Sequence, residues 1–242
     1  MTLPPPSREA LNALSNCLEE HSPQEILAWA VKIYGERLAM ATAFGAEGCV
    51  LLDMLAQLGA LAKLPFIFNL ETGYQFPETL ALRERIQERY GLTVHFVRPK
   101  ETVEQMEARF GGPIYHTNPD ECCRLRKIVP LRKVLKDFDA WVSAIRRDQT
   151  PDRAQAGIVE WDSKFGLVKI SPLANWTRED VWAYIRTHNV PYNPLHDRGY
   201  PSIGCWPCTR PVREGEDERA GRWAGLQKTE CGLHSRRTVR SS

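Results

Sequence analysis

The chain has little net charge, no long apolar run and no internal repeat, and each deficit removes a class of function. Its 32 Lys and Arg stand against 30 Asp and Glu, a formal net charge of +2 over 242 residues. A general nucleic-acid binder shows a strong basic excess, so nucleic acid is not an expected partner. No apolar stretch approaches the length of a membrane span, and Met1-Thr2-Leu3-Pro4-Pro5-Pro6 lacks the charged and apolar blocks of a signal peptide. A cytoplasmic chain without membrane association is expected. Low-complexity segments are also missing. The seven cysteines are an odd number, which suits a reducing compartment with metal-binding or catalytic thiols better than a disulfide framework.

What is present is a chain long enough for one domain with a sizeable core plus an appended segment. Residues 1–34 read as N-terminal helices, from Ser7 to about Glu20 and from the Ser22 N-cap to Tyr34. Strand-like runs follow at Leu38 to Phe44, Leu64 to Leu70, Leu92 to Val97 and Ala140 to Ile145, alternating with helical patterns at Cys49 to Leu58, Pro77 to Tyr90, Glu101 to Phe110 and Cys122 to Lys136. That alternation predicts a doubly wound α/β domain over 35–200 with a mostly parallel sheet. Ile158 to Trp161 and Leu167 to Ile170 read as a hairpin at its edge, and Thr177 caps a helix to about His188. Residues 201–242 are loop-rich and polar, apart from a short helical piece expected around Glu216 to Leu226.

The cysteines carry the strongest signal. A vicinal pair, Cys122-Cys123, and a CxxC, Cys205-Trp206-Pro207-Cys208, lie far apart in sequence. A thioredoxin-like redox pair is disfavoured, because such a pair opens a domain that needs several more strands and helices than the residues after Cys208 are expected to supply. Structural zinc bound by four cysteines remains open on spacing alone. The vicinal pair favours a larger cluster, since neighbouring thiolates crowd one small ion but can reach two irons. A fifth thiol, Cys231, sits in Lys228-Thr229-Glu230-Cys231-Gly232-Leu233-His234. A stretch this polar predicts an exposed cysteine on a flexible tail, with nearby arginines and a protonated His234 favouring its thiolate and Glu230 opposing it.

Ligands of open parallel sheets bind at the carboxyl ends of the strands. Thr42-Ala43-Phe44-Gly45-Ala46-Glu47-Gly48 lies between a strand and a helix, where N–H groups and the helix dipole can hold phosphate or sulfate. It lacks the Lys-Ser/Thr ending of a P-loop. Arg146-Arg147 and Arg153 leave another strand and can point at an anion. Arg124, Arg126 and Lys127 follow the cysteine pair, and Arg210, Arg213, Arg219 and Arg222 follow the CxxC. Positive charge gathered on both segments, in a chain nearly neutral overall, suits a small and highly anionic ligand.

Together Cys122-Cys123 with Arg126-Lys127, the Arg146-Arg147-Asp148-Gln149 loop, Cys205-Trp206-Pro207-Cys208 and Glu230-Cys231-Gly232-Leu233-His234 resemble the assimilatory sulfonucleotide reductases. These are the thioredoxin-dependent reductases of adenylylsulfate (APS) and phosphoadenylylsulfate (PAPS). The resemblance covers nearly all the chain after about residue 35, and members that carry a cluster usually take APS, whereas those lacking it take PAPS. It implies an adenine nucleotide α-hydrolase-like fold whose C-terminal segment carries the nucleophile, in sulfate assimilation and cysteine biosynthesis. It further implies a [4Fe-4S] cluster on Cys122, Cys123, Cys205 and Cys208, and Cys231 as nucleophile. Substrate would be bound by Thr42, Gly45, Glu71, Thr72, Gly73, Lys127, Arg146, Arg147, Gln149, Arg219, Arg222 and His234. Thioredoxin or glutaredoxin would be the reductant, and a homo-oligomer is compatible. The alternatives are a PAPS reductase, a zinc-stabilised nucleotide-binding sensor, and a sulfur-insertion enzyme acting on RNA, which the low charge disfavours. Phe44-Gly45 is closer to the PAPS-type loop, Glu71 replaces a common Asp, and Thr150 replaces a common Ser.

Overall fold

A computed structural model describes residues 6–59, 65–226 and 228–234. Two helices open the chain, α1 (Arg8–Leu18) and α2 (Pro23–Tyr34). The Ser22 hydroxyl accepts from the Glu25 N–H while the Glu25 carboxylate accepts from the Ser22 N–H, and Pro23 fills the first helical position. The chain then alternates through β1 (Leu38–Ala41), α3 (Ala46–Gln57), β2 (Phe66–Leu70), α4 (Pro77–Tyr90), β3 (His95–Val97), α5 (Val103–Phe110), α6 (Pro119–Cys123), α7 (Val129–Leu135) and β4 (Ala140–Val142). A hairpin of β5 (Val159–Asp162) and β6 (Leu167–Ile170) and the helix α8 (Arg178–His188) complete the regular structure.

The sheet order is β3-β2-β1-β4-β6-β5, parallel throughout except for the antiparallel edge pair β5 and β6. Both faces are apolar, with the period of two that a strand imposes. Leu38 and Met40 of β1, Ile67 of β2 and Ala140 and Val142 of β4 pack on one side with α2, α3 and α8. Ala39, Phe68 and Trp141 pack on the other with Leu131 and Leu135 of α7. Strand order reverses between β1 and β4, so a crevice opens at their carboxyl ends.

Three expectations need correction. The strands are shorter: β1 and β4 end at Ala41 and Val142, where the chain turns into the crevice loops, and β3 starts only at His95, at the opposite edge, where its pairing with β2 begins. Leu64, expected in β2, lies outside the described residues. No helix forms over Glu216 to Leu226, where turns are held by polar contacts such as Arg210 to Glu216. The helix expected at Cys122 begins at Pro119, capped by the Asn118 side chain, and runs into α7 through a π turn, Arg124–Ile128. Pro130 has no N–H to give the Arg126 carbonyl, and Val129 instead donates to Arg124.

Candidate active site

The crevice is a cleft of about 240 Å³ whose floor is made by the strand ends: Thr42 after β1, Asn69 and Leu70 at the end of β2, and Ser143 after β4. The turn after β1 is rigid. The Thr42 N–H donates to the Phe68 carbonyl at 2.9 Å, Asn69 Nδ2 donates to the Thr42 carbonyl at 2.8 Å, and the Phe44 N–H donates to Thr42 Oγ1 at 3.1 Å. Phe44 is buried with a φ of +54°, a left-handed conformation rare for a bulky residue. This turn presents the start of α3, whose N-cap Gly45 offers no side chain to the first N–H groups. Those donors face the cleft beside Gly45, Ala46 and Gly48, the arrangement that holds an anion.

The two cysteine pairs meet beside this cleft. Cys122, Cys123, Cys205 and Cys208 line one small cavity with Tyr74, Tyr115, Lys127 and Trp223. Two devices bring them there. Arg126 is buried and donates to the Thr72 and Glu101 carbonyls at 2.7 and 2.6 Å, fixing the π turn against the loop after β2. That loop holds the CxxC in turn: the Trp206 N–H donates to the Tyr74 carbonyl at 2.8 Å, and Cys205 Sγ lies 3.3 Å from Thr72 Oγ1. Gly73 has a φ of +79°, and a Cβ on it would meet Val103 Cγ2 at 2.5 Å, so the chain needs glycine at that bend. Among the described residues no three ligating side chains form a group that could hold a single metal ion. Burial, then proximity to Cys123, Cys205 and Cys208, pushes the Cys122 thiol up to about 12, and burial with Cys205 pushes Cys208 up to about 11. Four thiolates in this cavity therefore need positive charge among them.

The roof is the C-terminal segment. Arg222 lies against Gly204, whose added Cβ would sit 2.3 Å from Nη2, and its Nη1 reaches Ser202 Oγ at 3.3 Å. The tail does not project as an exposed arm, a correction with a clear cause. Glu230 is buried in a cage of donors from Arg153, Arg219 and Thr150, Leu233 packs against the β2–α7 side of the core, and His234 stacks on Trp141 at 5.8 Å. Cys231 is thereby half-buried in the cleft.

Electrostatics there favour the thiolate. Burial alone would raise the Cys231 thiol, but Lys127, the Leu233 N–H and Arg222 outweigh it and hold it below its ordinary value, with Glu230 working against them. For Lys127 burial is the largest influence and acts to lower it, yet Cys205, Cys123 and Cys231 together keep the ammonium above its ordinary range. Lys127 lines both the cleft and the cysteine cavity. His234 is not the protonated partner expected: burial and then the surrounding Arg153, Lys169, Arg219 and Lys164 press its pKa well down, so it is neutral.

Of the other sequence candidates, Thr42, Gly45, Thr72, Gln149 and Arg219 line the cleft with Lys127, Arg222, Cys231 and His234. Glu71 and Gly73 lie just outside, with the Glu71 carboxylate accepting from the Gly73 N–H at 2.7 Å and pairing with Arg98 at 3.3 Å. Arg146 is buried behind the floor, bound to Glu47 and to Asp148 at 2.8 Å. Arg147 turns away to Glu19 and the Ala156 carbonyl. Sequence reasoning left Asn69, Gln75, Ser143, His196, Ser202 and Trp223 unassigned, and only their places after strands or in the polar segment signalled them. Buried polar atoms without partners among the described residues concentrate here: every one except the Tyr90 hydroxyl belongs to a residue lining this cleft, namely Gln75, His196, Arg222, Trp223 and His234. Such a concentration marks a ligand site.

Comparison with known proteins agrees with this geometry. Residues 37–211 match the family described as the phosphoadenosine phosphosulfate reductase domain. A protein of Gloeobacter violaceus named phosphoadenosine 5'-phosphosulfate reductase is 49% identical over 93% of this chain and 93% of its own. One of Halalkalibacterium halodurans named adenosine 5'-phosphosulfate reductase is 48% identical over 93% of this chain and 96% of its own. The crystal structure of a phosphoadenylyl-sulfate reductase from Candida auris superposes with a TM-score of 0.74 at 33% identity, covering 87% of this chain and 99% of that one. The mostly parallel sheet is the adenine nucleotide α-hydrolase-like arrangement expected. The chain belongs to the phosphoadenosine phosphosulfate reductase family.

Proposed function

We propose that the chain reduces adenosine 5'-phosphosulfate to sulfite and AMP, with Cys231 as nucleophile and a dithiol protein of the thioredoxin or glutaredoxin type as reductant. The observation that carries this reading is the placing of Cys231 in one cleft with Lys127, Arg222 and the open start of α3. The Cys231 thiolate attacks the sulfate sulfur, an S–S bond forms, and the S–O bond to the phosphate breaks with its electron pair leaving on AMP. One reductant thiolate then attacks Cys231 Sγ of the S-sulfocysteine, releasing sulfite with the S–S electron pair and leaving a mixed disulfide. The second reductant thiol resolves it, so the dithiol ends as a disulfide and Cys231 is free again. In the first step the N–H groups of α3 are placed to hold phosphate, Lys127 and Arg222 stabilise the charge moving onto AMP, and Thr42 and Gln149 add hydrogen bonds.

Cys122, Cys123, Cys205 and Cys208 would hold a [4Fe-4S] cluster. The donor set is all thiol, is arranged around a cavity, and its thiolates require cationic compensation. Bound there, the cluster would supply charge and rigidity beside Lys127. Among the described residues these thiols form no single-ion site, which favours the cluster over zinc.

Charge favours APS over PAPS. Arg146 pairs with Glu47, Arg153 with Glu230 and Arg178 with Glu218, whereas among the described residues Lys127 and Arg222 form no ion pair. Two uncommitted cations match the two charges of a phosphosulfate, while a 3'-phosphate would add negative charge where the other lining cations of the described cleft, Arg153 and Arg219, are already paired with Glu230. PAPS is the second reading because a relative at 49% identity carries that name. Sulfite release from APS and from PAPS with one thioredoxin, on anaerobically purified protein of measured iron content, tests both points. Faster turnover of APS by iron-containing protein is expected. Preferential turnover of PAPS, or full activity in zinc-only protein, overturns the respective part.

A further inference from the structure

Among the described residues of the tail, the one before the proposed nucleophile is the most completely bound. Glu230 is 7% exposed, and Arg153, which faces it, is 8% exposed. Arg153 Nε and Nη2 donate to the two carboxylate oxygens at 3.0 and 2.9 Å, a bidentate pair. Thr150 Oγ1 donates to the carboxylate at 3.2 Å, and Arg219 Nη2 stands 3.5 Å away while donating to the Thr229 carbonyl at 2.8 Å. These partners come from opposite walls. Thr150 and Arg153 belong to the loop leaving β4, and Arg219 belongs to the roof. The carboxylate therefore joins floor to roof at the residue adjacent to Cys231.

We propose that Glu230 is a positioning residue for the Cys231 sulfur, a latch that holds the nucleophile in the cleft through Arg153, Arg219 and Thr150. The inference rests on the proposed role of Cys231. Its second effect is on charge. By occupying Arg153 and Arg219, Glu230 leaves Lys127 and Arg222 as the uncommitted cations, next to the reacting sulfur and not along the whole cleft. Opening the latch frees the tail for the reductant and returns both arginines to the cleft.

This arrangement predicts a division that a merely structural residue would not produce. Glu230→Gln keeps shape but removes the charge, leaving Arg153 and Arg219 available to the nucleotide. Alkylation of Cys231 by iodoacetamide in the nucleotide-free holoprotein, read on its own peptide by mass spectrometry, is expected to rise about tenfold. Adduct formation from APS in a single turnover is expected to fall by about the same factor, while AMP binds as tightly as before or tighter. Alkylation at the wild-type rate in a variant of unchanged melting temperature overturns the latch, as does a parallel loss of AMP binding and adduct formation. Should Glu230→Gln not fold, Thr150→Val removes one hydrogen bond. It is expected to raise alkylation about threefold, and no rise overturns the proposal. The alkylation arm uses no APS, so a wild-type protein that forms no adduct contradicts the proposed function while leaving the latch to its own test.

Discussion

The floor and the roof of the cleft are built by different physics. The floor is backbone: parallel strands pair in fixed register, their ends are hydrogen-bonded to one another, and the N–H groups of α3 point into the opening. The roof, from about Pro201 to His234, has one short 3-10 turn among its described residues and is held by side chains such as Arg222 against Gly204 and Arg153 with Glu230. A floor of this kind can grip an anion in every state of the enzyme. A roof tied by a few charges can open, which the role proposed for Cys231, serving nucleotide and reductant in succession, requires.

The sharpest way to break the comparison is to remove the moving group alone. Cys231→Ser should lose about a thousandfold or more of sulfite formation while nucleotide affinity, which the proposed reading assigns to the floor and the cations, stays within about twofold. Loss of both in parallel, by equilibrium binding and sulfite assay, would mean that roof and floor are not separable. Next in size is the cation at their junction. Lys127→Met should lower adduct formation about a hundredfold. It should also shift pH dependence: the Cys231 thiol is held below its ordinary value, so reactivity rises as pH rises through that lowered pKa and levels off before a free thiol would, near ~8.5. Without Lys127 the rise should move to higher pH, and an unmoved profile would remove Lys127 from the account.

Gly204→Ala should act more mildly and on the roof only. The new Cβ lies 2.3 Å from Arg222 Nη2, so the guanidinium must shift, and turnover should fall about tenfold. The cysteine cavity should keep its iron content, as measured by metal analysis. Smallest is Arg147→Gln. Its guanidinium is spent on Glu19 and the Ala156 carbonyl away from the cleft, so substrate affinity should be unchanged and stability should fall by about 1 kcal/mol or less. A large rise in KM would show that the loop moves on binding.

The contrast also explains what the sequence could disclose. The floor was readable because short continuous apolar runs such as Leu38 to Ala41 and Phe66 to Leu70 report buried strands, and loops after parallel strands report the ligand edge. The four cysteines were readable as a pair and a CxxC. Their meeting was not, since it depends on Arg126 reaching the Thr72 carbonyl and on the Trp206 N–H reaching Tyr74. Charges were the least legible. Arg146 and Arg147 read as anion binders, and the structure pairs them with Glu47 and Glu19; the tail reads as mobile, and the structure pairs its Glu230 with Arg153. A charged residue's task depends on whether its partner lies elsewhere in the chain, and no local pattern records that.

The most direct measurement is mass spectrometry of anaerobically prepared protein mixed with APS in the absence of any reductant. The account predicts one sulfonate per chain, located on Cys231 and removed by thioredoxin with release of sulfite. A sulfonate on another cysteine, or none while sulfite still forms on later addition of thioredoxin, would contradict it.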